Sequence, residues 1–304
     1  MGLSPTVGRL YLSRARKGET LPPTLCQPVG VELKSTGLEQ AIATIRQLGQ
    51  SCGNLNGRVQ GPDDTGWYAY LNWAEECERQ LRNIFADPAI VHGAYSERYW
   101  KIAQKAAPSR TAVLIMTEVR AQQDRLNELA ATLLKFQALG KRDGHLLVLD
   151  TNVLLHFQRI DKIPWRDVMG VEKIRLVLPL MVLDELDRKR SAGGSIARRA
   201  RSATKPLDDL EKEISELGYG TLSAPNHGTT VEYLLDPRGH RRQPDPDGEI
   251  LDRATFLHRI TGRRVYVATN DIGMRVRLTA RQDGLEAVRM PEKFRRDQEE
   301  LSPA

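Results

Sequence analysis

Four acidic residues in the second half of the chain stand where apolar segments end or helical segments begin. Asp150 directly follows the run LLVL, and Asp271 comes shortly after the run VYVA. Glu185 lies in the first turns of a helical pattern that follows Leu176–Leu178, and Asp247 lies where another helical pattern begins. Carboxylates gathered at one site repel one another and resist desolvation, so they require protons or a cation. Hard divalent ions with oxygen ligands meet that need, which makes Mg²⁺ or Mn²⁺ the predicted cofactor.

Metal-assisted hydrolysis of a phosphodiester is the chemistry that such a site could perform. One ion, or a pair roughly 3.5–4 Å apart, lowers the pKa of an attacking water and neutralises charge on the phosphate. Zinc is not favoured, because the six histidines form no pair at i,i+4 spacing and the three cysteines all lie in the other half of the chain.

The segments that carry these acids alternate between short apolar runs and helical patterns. The apolar runs predict strands at Leu146–Leu149, Leu176–Leu178, Val231–Leu235, Val265–Ala268 and Leu285–Val288. The patterns between them predict helices over Val182–Arg190, Ile196–Leu217, Glu249–Ile260 and Ile272–Ala280. This alternation indicates an α/β domain with a mainly parallel sheet and helices on both faces. Ligand sites in such sheets lie beyond the carboxyl ends of the strands, so the four acids are expected to meet at one edge.

Four segments, in this order and spacing, resemble the motifs of the PIN-domain nucleases: LLVLDTNVLL, VLPLMVLDELDRKR, DPDGEILDRATFL and VYVATND. The resemblance covers residues 145 to about 290. It implies that Asp150 is the central metal ligand, that Glu185 and Asp247 are the acids of the second and third motifs, and that Asp271 closes the site. It also implies a set of polar residues that support these acids, namely Thr151, Asn152, Thr269 and Asn270. The reaction that it implies is endonucleolytic hydrolysis of RNA, less often of DNA, with Mg²⁺ or Mn²⁺ as cofactor.

The third motif departs from the family pattern. The family often has two adjacent acids there, whereas Gly248 follows Asp247 in this chain and Asp245 and Glu249 flank the pair. Asp247 is the preferred third acid, and it is also placed to cap a helix that starts near Glu249. Asp245 and Glu249 remain the alternatives. The connection over Gly218–Pro246 is also longer than the family spacing.

A basic segment begins three residues after Glu185. From Arg188 to Lys205, seven residues are Arg or Lys and none is acidic. A charge run alone is typical of a solvated helix face, but at the lip of an acidic metal site it predicts contacts with a phosphate backbone. RNA is therefore the expected partner. The expected nucleic-acid-binding residues are Arg188, Lys189, Arg198, Arg199 and Arg201, followed by Arg238, Arg241 and Arg242 of a later basic loop.

The first half of the chain has a different organisation. We expect a loosely structured lead-in over 1–35, a helical domain over 36–139, a linker over 140–145, the nuclease domain over 146–290 and a charged tail over 291–304. The longest predicted helix, Thr111–Phe136, has apolar residues at heptad spacing. This stripe either packs inside its own domain or forms the seam of a homodimer. The helical domain could bind substrate, recruit a protein partner or restrain the nuclease.

Bulk composition narrows the class of protein further. The formal net charge is +6, which is compatible with a polyanionic partner. No apolar run reaches the roughly 18–20 residues that a membrane span requires, and the first residues contain no apolar core of a secretory signal. The three cysteines are an odd number and widely spaced, which is typical of reduced thiols. A cytoplasmic location is therefore expected.

Two other functions are compatible with parts of the pattern. Phosphatases of the haloacid-dehalogenase type also begin with an Asp after a buried strand, but they need a second Asp two residues later, where this chain has Asn152. A non-catalytic RNA-binding module would keep the fold and lose hydrolysis. The presence of all four acids argues against that alternative.

Overall fold

The computed structural model describes residues 33–34, 36–57, 64–106, 108–236, 240–280 and 284–296. Residues 1–32 and 35 of the predicted lead-in, the end of the charged tail and the candidate Arg238 lie outside these residues. The chain divides into two compact units. One contains Gly30–Gly140 with Arg259–Gly262, and the other contains Lys141–His258 and the described residues from Arg263 onward.

The first unit is helical. Its helices are α1 Leu38–Gly53, α2 Thr65–Ile84, α3 Pro88–Val91, α4 Glu97–Ala103 and α5 Thr111–Lys141. The short helices α3 and α4 were not predicted, because so few residues show no periodicity. Over the ranges that the structure describes, no helix combines the length and the apolar character needed to cross a membrane.

The heptad stripe of α5 is buried within the single chain. Ile115, Val119, Leu126 and Leu133 are each at most 2% exposed. Such a stripe has no free surface to offer a second copy, so the observed burial favours packing within the chain over a dimer seam.

The polar interruption in this stripe has its own partners. The Gln122 side-chain amide donates to the carbonyl of Gly93 at 3.0 Å and to Glu118 Oε1 at 2.7 Å. The buried Glu118 also accepts from the Ser96 hydroxyl at 2.7 Å and from Arg98 Nε at 2.6 Å. Buried polar groups are tolerated when they are hydrogen-bonded in this way.

The second unit is built on a six-stranded sheet. The strands are β1 His145–Leu149, β2 Ile174–Pro179, β3 Gly220–Thr221, β4 Thr229–Leu234, β5 Val265–Ala268 and β6 Leu285–Val288. Their order is β3-β4-β2-β1-β5-β6, and all pairs are parallel except β3 with β4. The predicted α/β class with a mainly parallel sheet is therefore confirmed.

Helices alternate with these strands. They are α6 Thr151–His156, α7 Trp165–Met169, α8 Leu180–Arg190, α9 Gly194–Leu217, α10 Pro246–Thr261 and α11 Ile272–Ala280. Every residue of β2 is buried. A strand buried on both sides requires helices on both faces of the sheet, which explains why the central strands are continuous apolar runs.

The direction in which the chain leaves β1 creates the crevice of this sheet. From the central β1, the chain builds β2 and β4 on one side and then β5 and β6 on the other. The strand order thus reverses between β1 and β5, and ligand sites in open α/β sheets form at such a reversal, outside the carboxyl ends of the strands.

The predicted start of α10 near Glu249 is wrong, because the helix begins at Pro246. The Asp245 side chain accepts from the backbone N–H of Gly248 at 3.0 Å, and the Asp245 carbonyl accepts from the N–H of Glu249 at 2.9 Å. Asp245 therefore caps the helix, with proline in the favoured first position. Asp247 lies one residue inside the helix and does not provide this cap.

One ion pair is enclosed within the sheet. Arg175 on β2 donates to Glu232 on β4 from Nε at 2.7 Å and from Nη2 at 3.0 Å, and both side chains are at most 2% exposed. Removing one partner of a buried pair leaves an uncompensated charge.

We expect Glu232→Gln to lower the free energy of unfolding by about 3–5 kcal/mol, because Arg175 stays buried without its counter-charge. Urea denaturation measures this change. Asp143→Asn is the matched control, since Asp143 pairs with Lys173 at the surface, and it should leave stability nearly unchanged. Equal stability of the Glu232 variant and wild type would contradict the prediction.

Candidate metal centre

Asp150 occupies the N-cap of α6 at the end of the central strand. Its backbone N–H donates to the carbonyl of Ala268 at 3.2 Å, which holds the residue beside the end of β5. Oδ1 accepts from the backbone N–H of Asn152 at 3.2 Å, and Oδ2 accepts from the Thr269 hydroxyl at 2.9 Å. The residue is only 2% exposed. One carboxylate is thus fixed in the crevice between β1 and β5.

The surroundings of Asp150 disfavour its ionised form. The pKa of this carboxyl is raised from 3.8 to about 6, chiefly by burial and also by the charges of Asp247 and Glu185. The hydrogen bonds from Asn152 and Thr269 oppose that rise. The repulsion also shows that Asp247 and Glu185 lie within electrostatic range of Asp150.

Thr269 links Asp150 to Asp271. While its hydroxyl donates to Asp150, its oxygen accepts from the backbone N–H of Asp271 at 3.1 Å. Asp271 is exposed, and its Oδ1 caps α11 by accepting from the N–H of Met274 at 2.8 Å. The loop after β5 therefore places a second carboxylate at the same end of the sheet.

Glu185 lies in the second turn of α8, on the β2 side of Asp150. Its Oε2 accepts from the Thr151 hydroxyl at 2.7 Å, and its Oε1 lies 3.2 Å from Lys189 Nζ. Because Thr151 follows Asp150 directly, this hydrogen bond ties the acid of α8 to the start of α6.

Asp247 lies in the first turn of α10 and faces Arg277 of α11. Arg277 Nη2 donates to Asp247 Oδ2 at 2.9 Å. Burial and the neighbouring charge of Asp245 raise the pKa of Asp247, and Asp271 acts in the same direction, whereas Arg277 lowers it. Asp247 is therefore within electrostatic range of both Asp150 and Asp271, and the four predicted acids are brought to one end of the sheet.

The two alternatives for the third acid have other partners. Asp245 caps α10 and accepts from Arg277 Nη1 at 2.8 Å, and this hydrogen bond lowers its pKa. A Cβ atom on Gly248 would lie 3.2 Å from Asp245 Oδ2, so a second acid at 248 would disturb this cap. Glu249 is fully buried, and its Oε2 accepts from the N–H of Gln243 at 2.7 Å.

Glu249 instead belongs to a second group of ligand-type residues. Its Oε1 lies 2.8 Å from His240 Nε2, and the ligand atoms of Asp236, His240 and Glu249 all lie within 4.8 Å of one another. His240 Nδ1 accepts from Arg253 Nη2 at 3.0 Å. Both ring nitrogens are thus hydrogen-bonded, and the buried Arg253 already supplies positive charge. Because both His240 ring nitrogens are occupied and Arg253 supplies positive charge, we assign no metal to this group, in which Asp236 Oδ1 is buried without a hydrogen-bond partner among the described residues.

The four acids, by contrast, fit a hard divalent cation. Every donor is a carboxylate oxygen, which suits Mg²⁺, Mn²⁺ or Ca²⁺ better than softer ions. Burial and the charges of Asp247 and Glu185 raise the pKa of Asp150, and a bound cation would stabilise its ionised form. Two of the four acids are paired with cations. Lys189 pairs with Glu185, and Arg277 pairs with Asp247.

The predicted supporting residues differ in what they contact. Thr151 and Thr269 donate their hydroxyls to Glu185 and Asp150, whereas Asn152 contributes its backbone N–H and has an exposed side chain. Asn270 turns away from the acids. Its side chain donates to the carbonyl of Met290 at 3.2 Å and accepts from the N–H of Met290 at 2.8 Å, which joins the loops after β5 and β6.

The predicted nucleic-acid-binding residues fall into separate groups. The exposed ones are Arg188, Arg198, Arg201 and Arg241. Lys189 is paired with Glu185. Arg242 is held at 2.6 Å from Asp184 and at 2.7 Å from Asp236, so its charge is already neutralised. Arg199 contacts His156.

Sequence reasoning missed Arg277 and His156. Arg277 approaches Asp245 and Asp247 from 30 residues or more along the chain. No local pattern marks such a residue, because its contacts depend on how α10 and α11 pack. In the sequence, only its position at the end of the helical segment that begins after Asp150 could have indicated that His156 lies near the acids.

Comparison with known proteins identifies the class of this unit. Residues 147–291 match the family model of the PIN domain, so the C-terminal half of the chain is a PIN domain. PIN domains are generally nucleases, which supports a nuclease-type module acting on nucleic acid. The chain is also similar to a solved structure from Methanocaldococcus jannaschii DSM 2661, described as a domain of a functionally unknown protein. The two share 18% identity over 53% of this chain and 99% of that one, with a TM-score of 0.32. No curated protein matches the sequence.

We expect Asp150→Asn to stabilise the metal-free protein at pH 7 by about 2–3 kcal/mol, since it removes a charge that the folded state disfavours. The folded-state pKa of about 6 lies above the unfolded value, so the folded state binds the extra proton as pH falls. The advantage of the variant should be complete above pH 6, decline as pH falls towards 4 and vanish below it. Urea denaturation in chelator across this range measures it.

Asp245→Asn is the matched control, because Arg277 and the N–H of Gly248 lower the pKa of Asp245. That substitution should not stabilise the protein at pH 7. A difference between Asp150→Asn and wild type that stays constant from pH 4 to pH 8 would show that Asp150 is not held with a raised pKa.

Proposed function

We propose that this chain is an endoribonuclease that depends on Mg²⁺ or Mn²⁺ and holds its metal with Asp150, Glu185, Asp247 and Asp271. The observation that carries the proposal is the buried, hydrogen-bonded Asp150 at the strand-order reversal of a PIN domain, repelled by Asp247 and Glu185. A carboxylate kept in that position at a cost in free energy is suited to bind a cation. A bound divalent ion supplies a water of lowered pKa and neutralises charge on the phosphodiester.

The residues around the acids orient them. The Thr269 hydroxyl and the N–H of Asn152 fix the two oxygens of Asp150, and the Thr151 hydroxyl fixes one oxygen of Glu185. Such partners leave the ligand carboxylates few alternative orientations. In the absence of metal, Lys189 pairs with Glu185 and Arg277 pairs with Asp247. In this proposal, both side chains turn to a phosphate when the acids bind a cation.

RNA as substrate is supported by the exposed cations near this site. Arg188 lies in the last turn of α8, three residues after Glu185, and Arg198 and Arg201 lie exposed on α9, which packs against α8. Cations that contact phosphates give affinity without reading base sequence.

The helical unit serves in this proposal as an adaptor for substrate or for a protein partner.

A non-catalytic RNA-binding module is the alternative, and cleavage assays decide between the two. Purified protein is incubated with single-stranded RNA, structured RNA and DNA in Mg²⁺, Mn²⁺ or chelator. Cleavage of RNA that needs the metal supports the proposal. Binding of RNA without cleavage in either metal would favour the alternative.

We expect Asp150→Asn to lower the rate of RNA cleavage by more than about 100-fold, since even a lost outer-shell partner costs about 10–100-fold. Thr269→Val is the graded comparison. It keeps the shape and removes the hydroxyl that donates to Asp150, so a loss of about 10–100-fold is expected. Gel-based cleavage rates measure both. Wild-type activity of the Asp150 variant would reject the assigned site.

A second set of variants identifies the third acid. Asp247→Ser should stay folded and be nearly inactive, because Asp245 provides the helix cap and Asp247 the metal-facing charge. Asp245→Asn should remain close to wild type, since Asn also caps helices. Glu249→Gln should chiefly lower the melting temperature, because Glu249 is buried against His240 and the N–H of Gln243. If the Glu249 variant is stable but inactive while the Asp247 variant is active, the third acid is Glu249, two residues after the one assigned.

Replacing Arg198 and Arg201 by Ala should weaken RNA binding and reduce its dependence on salt. Each lost phosphate contact on a single strand lowers the slope of log K against log salt by about 0.7. Fluorescence anisotropy over a salt series measures the slope. Lys212→Ala on the same helix is the matched control. An unchanged slope in the double variant would mean that these side chains form only a solvated face.

A further inference from the structure

A cluster of positive charge surrounds the His156 imidazole at the end of α6. Arg199 Nη1 on α9 lies 2.9 Å from His156 Nδ1, and the backbone N–H of Arg296 donates to the His156 carbonyl at 3.0 Å. Burial lowers the pKa of His156, and the charges of Arg199, Arg295, Lys189 and Arg296 lower it further. The ring is therefore neutral, with Nδ1 accepting from Arg199. This arrangement leaves the Nε2–H as a donor for a ligand.

Three of these cations, Lys189, Arg295 and Arg199, differ in their ion pairs. Lys189 pairs with Glu185, and Arg295 pairs at the surface with Glu292. Arg199 has no carboxylate within ion-pair distance in the part of the chain that the structure describes, and its buried Nε has no hydrogen-bond partner there. The half-buried Arg199 guanidinium thus carries a charge that no described carboxylate pairs with, and an anion that approached its accessible atoms would be bound favourably.

The position of the cluster connects it to the metal centre. Helix α6 carries Asp150 at its N-cap and His156 at its last residue, which separates them by about 9 Å along the axis. Lys189 belongs to both regions, because it contacts Glu185 and also acts electrostatically on His156. Lys189 therefore lies between the acids and the cluster along the path that we infer for a bound strand.

We propose that His156, Arg199 and Arg295 form a phosphate-binding site for a substrate phosphate other than the one being cut. Arg199 and Arg295 provide the charge, and His156 provides a neutral N–H donor. This inference rests on the proposed nuclease function. An internal phosphodiester and a terminal phosphomonoester share the required chemistry, and the experiment separates them.

The test measures binding of labelled single-stranded RNA oligonucleotides by fluorescence anisotropy in chelator, so that nothing is cut. One series carries a single uncharged methylphosphonate at each linkage in turn, and one pair differs only in a 5′-phosphate or a 5′-hydroxyl. The variants are Arg199→Met, which keeps side-chain volume, and Arg295→Met, which changes an exposed residue. Lys212→Met, an exposed residue of α9, is the matched control.

For wild type and the control, we expect removal of charge at one position to weaken binding about tenfold, the effect of losing a hydrogen bond to a charged group. Arg199→Met and Arg295→Met should bind the unmodified RNA about tenfold more weakly and lose sensitivity at that same position. Sensitivity at a linkage identifies an internal phosphate, and sensitivity at the 5′ end identifies a terminal one.

Two outcomes would overturn the inference. One is a uniform loss of affinity in which both arginine variants keep the wild-type positional pattern. The other is wild-type binding that is equally insensitive to loss of phosphate charge at every position of the RNA. If wild type nevertheless cleaves RNA in Mg²⁺ and Asp150→Asn does not, only the phosphate site is rejected. Absence of both binding and cleavage rejects the nuclease proposal as well.

Discussion

The burial of one carboxylate at the carboxyl end of the central strand is the constraint around which the PIN domain is organised. Asp150 is almost fully enclosed, and burial alone raises its pKa. Each of its oxygens receives a hydrogen bond, from Thr269 and from the N–H of Asn152. These two bonds compensate the lost hydration only partly, because Glu185 and Asp247 add further negative charge. The proposed cation would supply the missing compensation.

The other acids are held by the same elements that hold Asp150. Glu185 is joined to α6 through the Thr151 hydroxyl, and Asp271 is joined to β5 through the Thr269 hydroxyl. Asp247 is held by Arg277 from the next helix. The acids therefore depend on correct packing of several elements. Local unfolding of any one of these helices is expected to disturb the arrangement of all four acids.

The basic residues near this centre are not equivalent. Some, such as Arg198 and Arg201, are exposed at the surface. Arg242 is held by two aspartates, and Arg199 is directed at His156. A phosphate backbone would thus meet exposed cations at the surface and ordered donors nearer the acids. The first group favours affinity, and the second favours one position of the strand.

The local patterns of the sequence were sufficient to predict the parallel sheet and the acids that follow its strands. Buried parallel strands must be continuous apolar runs, and their ends determine where Asp150 and Asp271 lie. β3 was missed because two residues show no periodicity, and α10 starts earlier than predicted because Asp245, rather than Asp247, provides its cap. Contacts between distant segments were decided only by the tertiary structure. Arg277 reaches Asp247, Arg253 satisfies His240, and Arg199 approaches His156 because helices far apart in sequence pack together. Periodicity reports which face of an element is buried, but it carries no information about which neighbour covers that face.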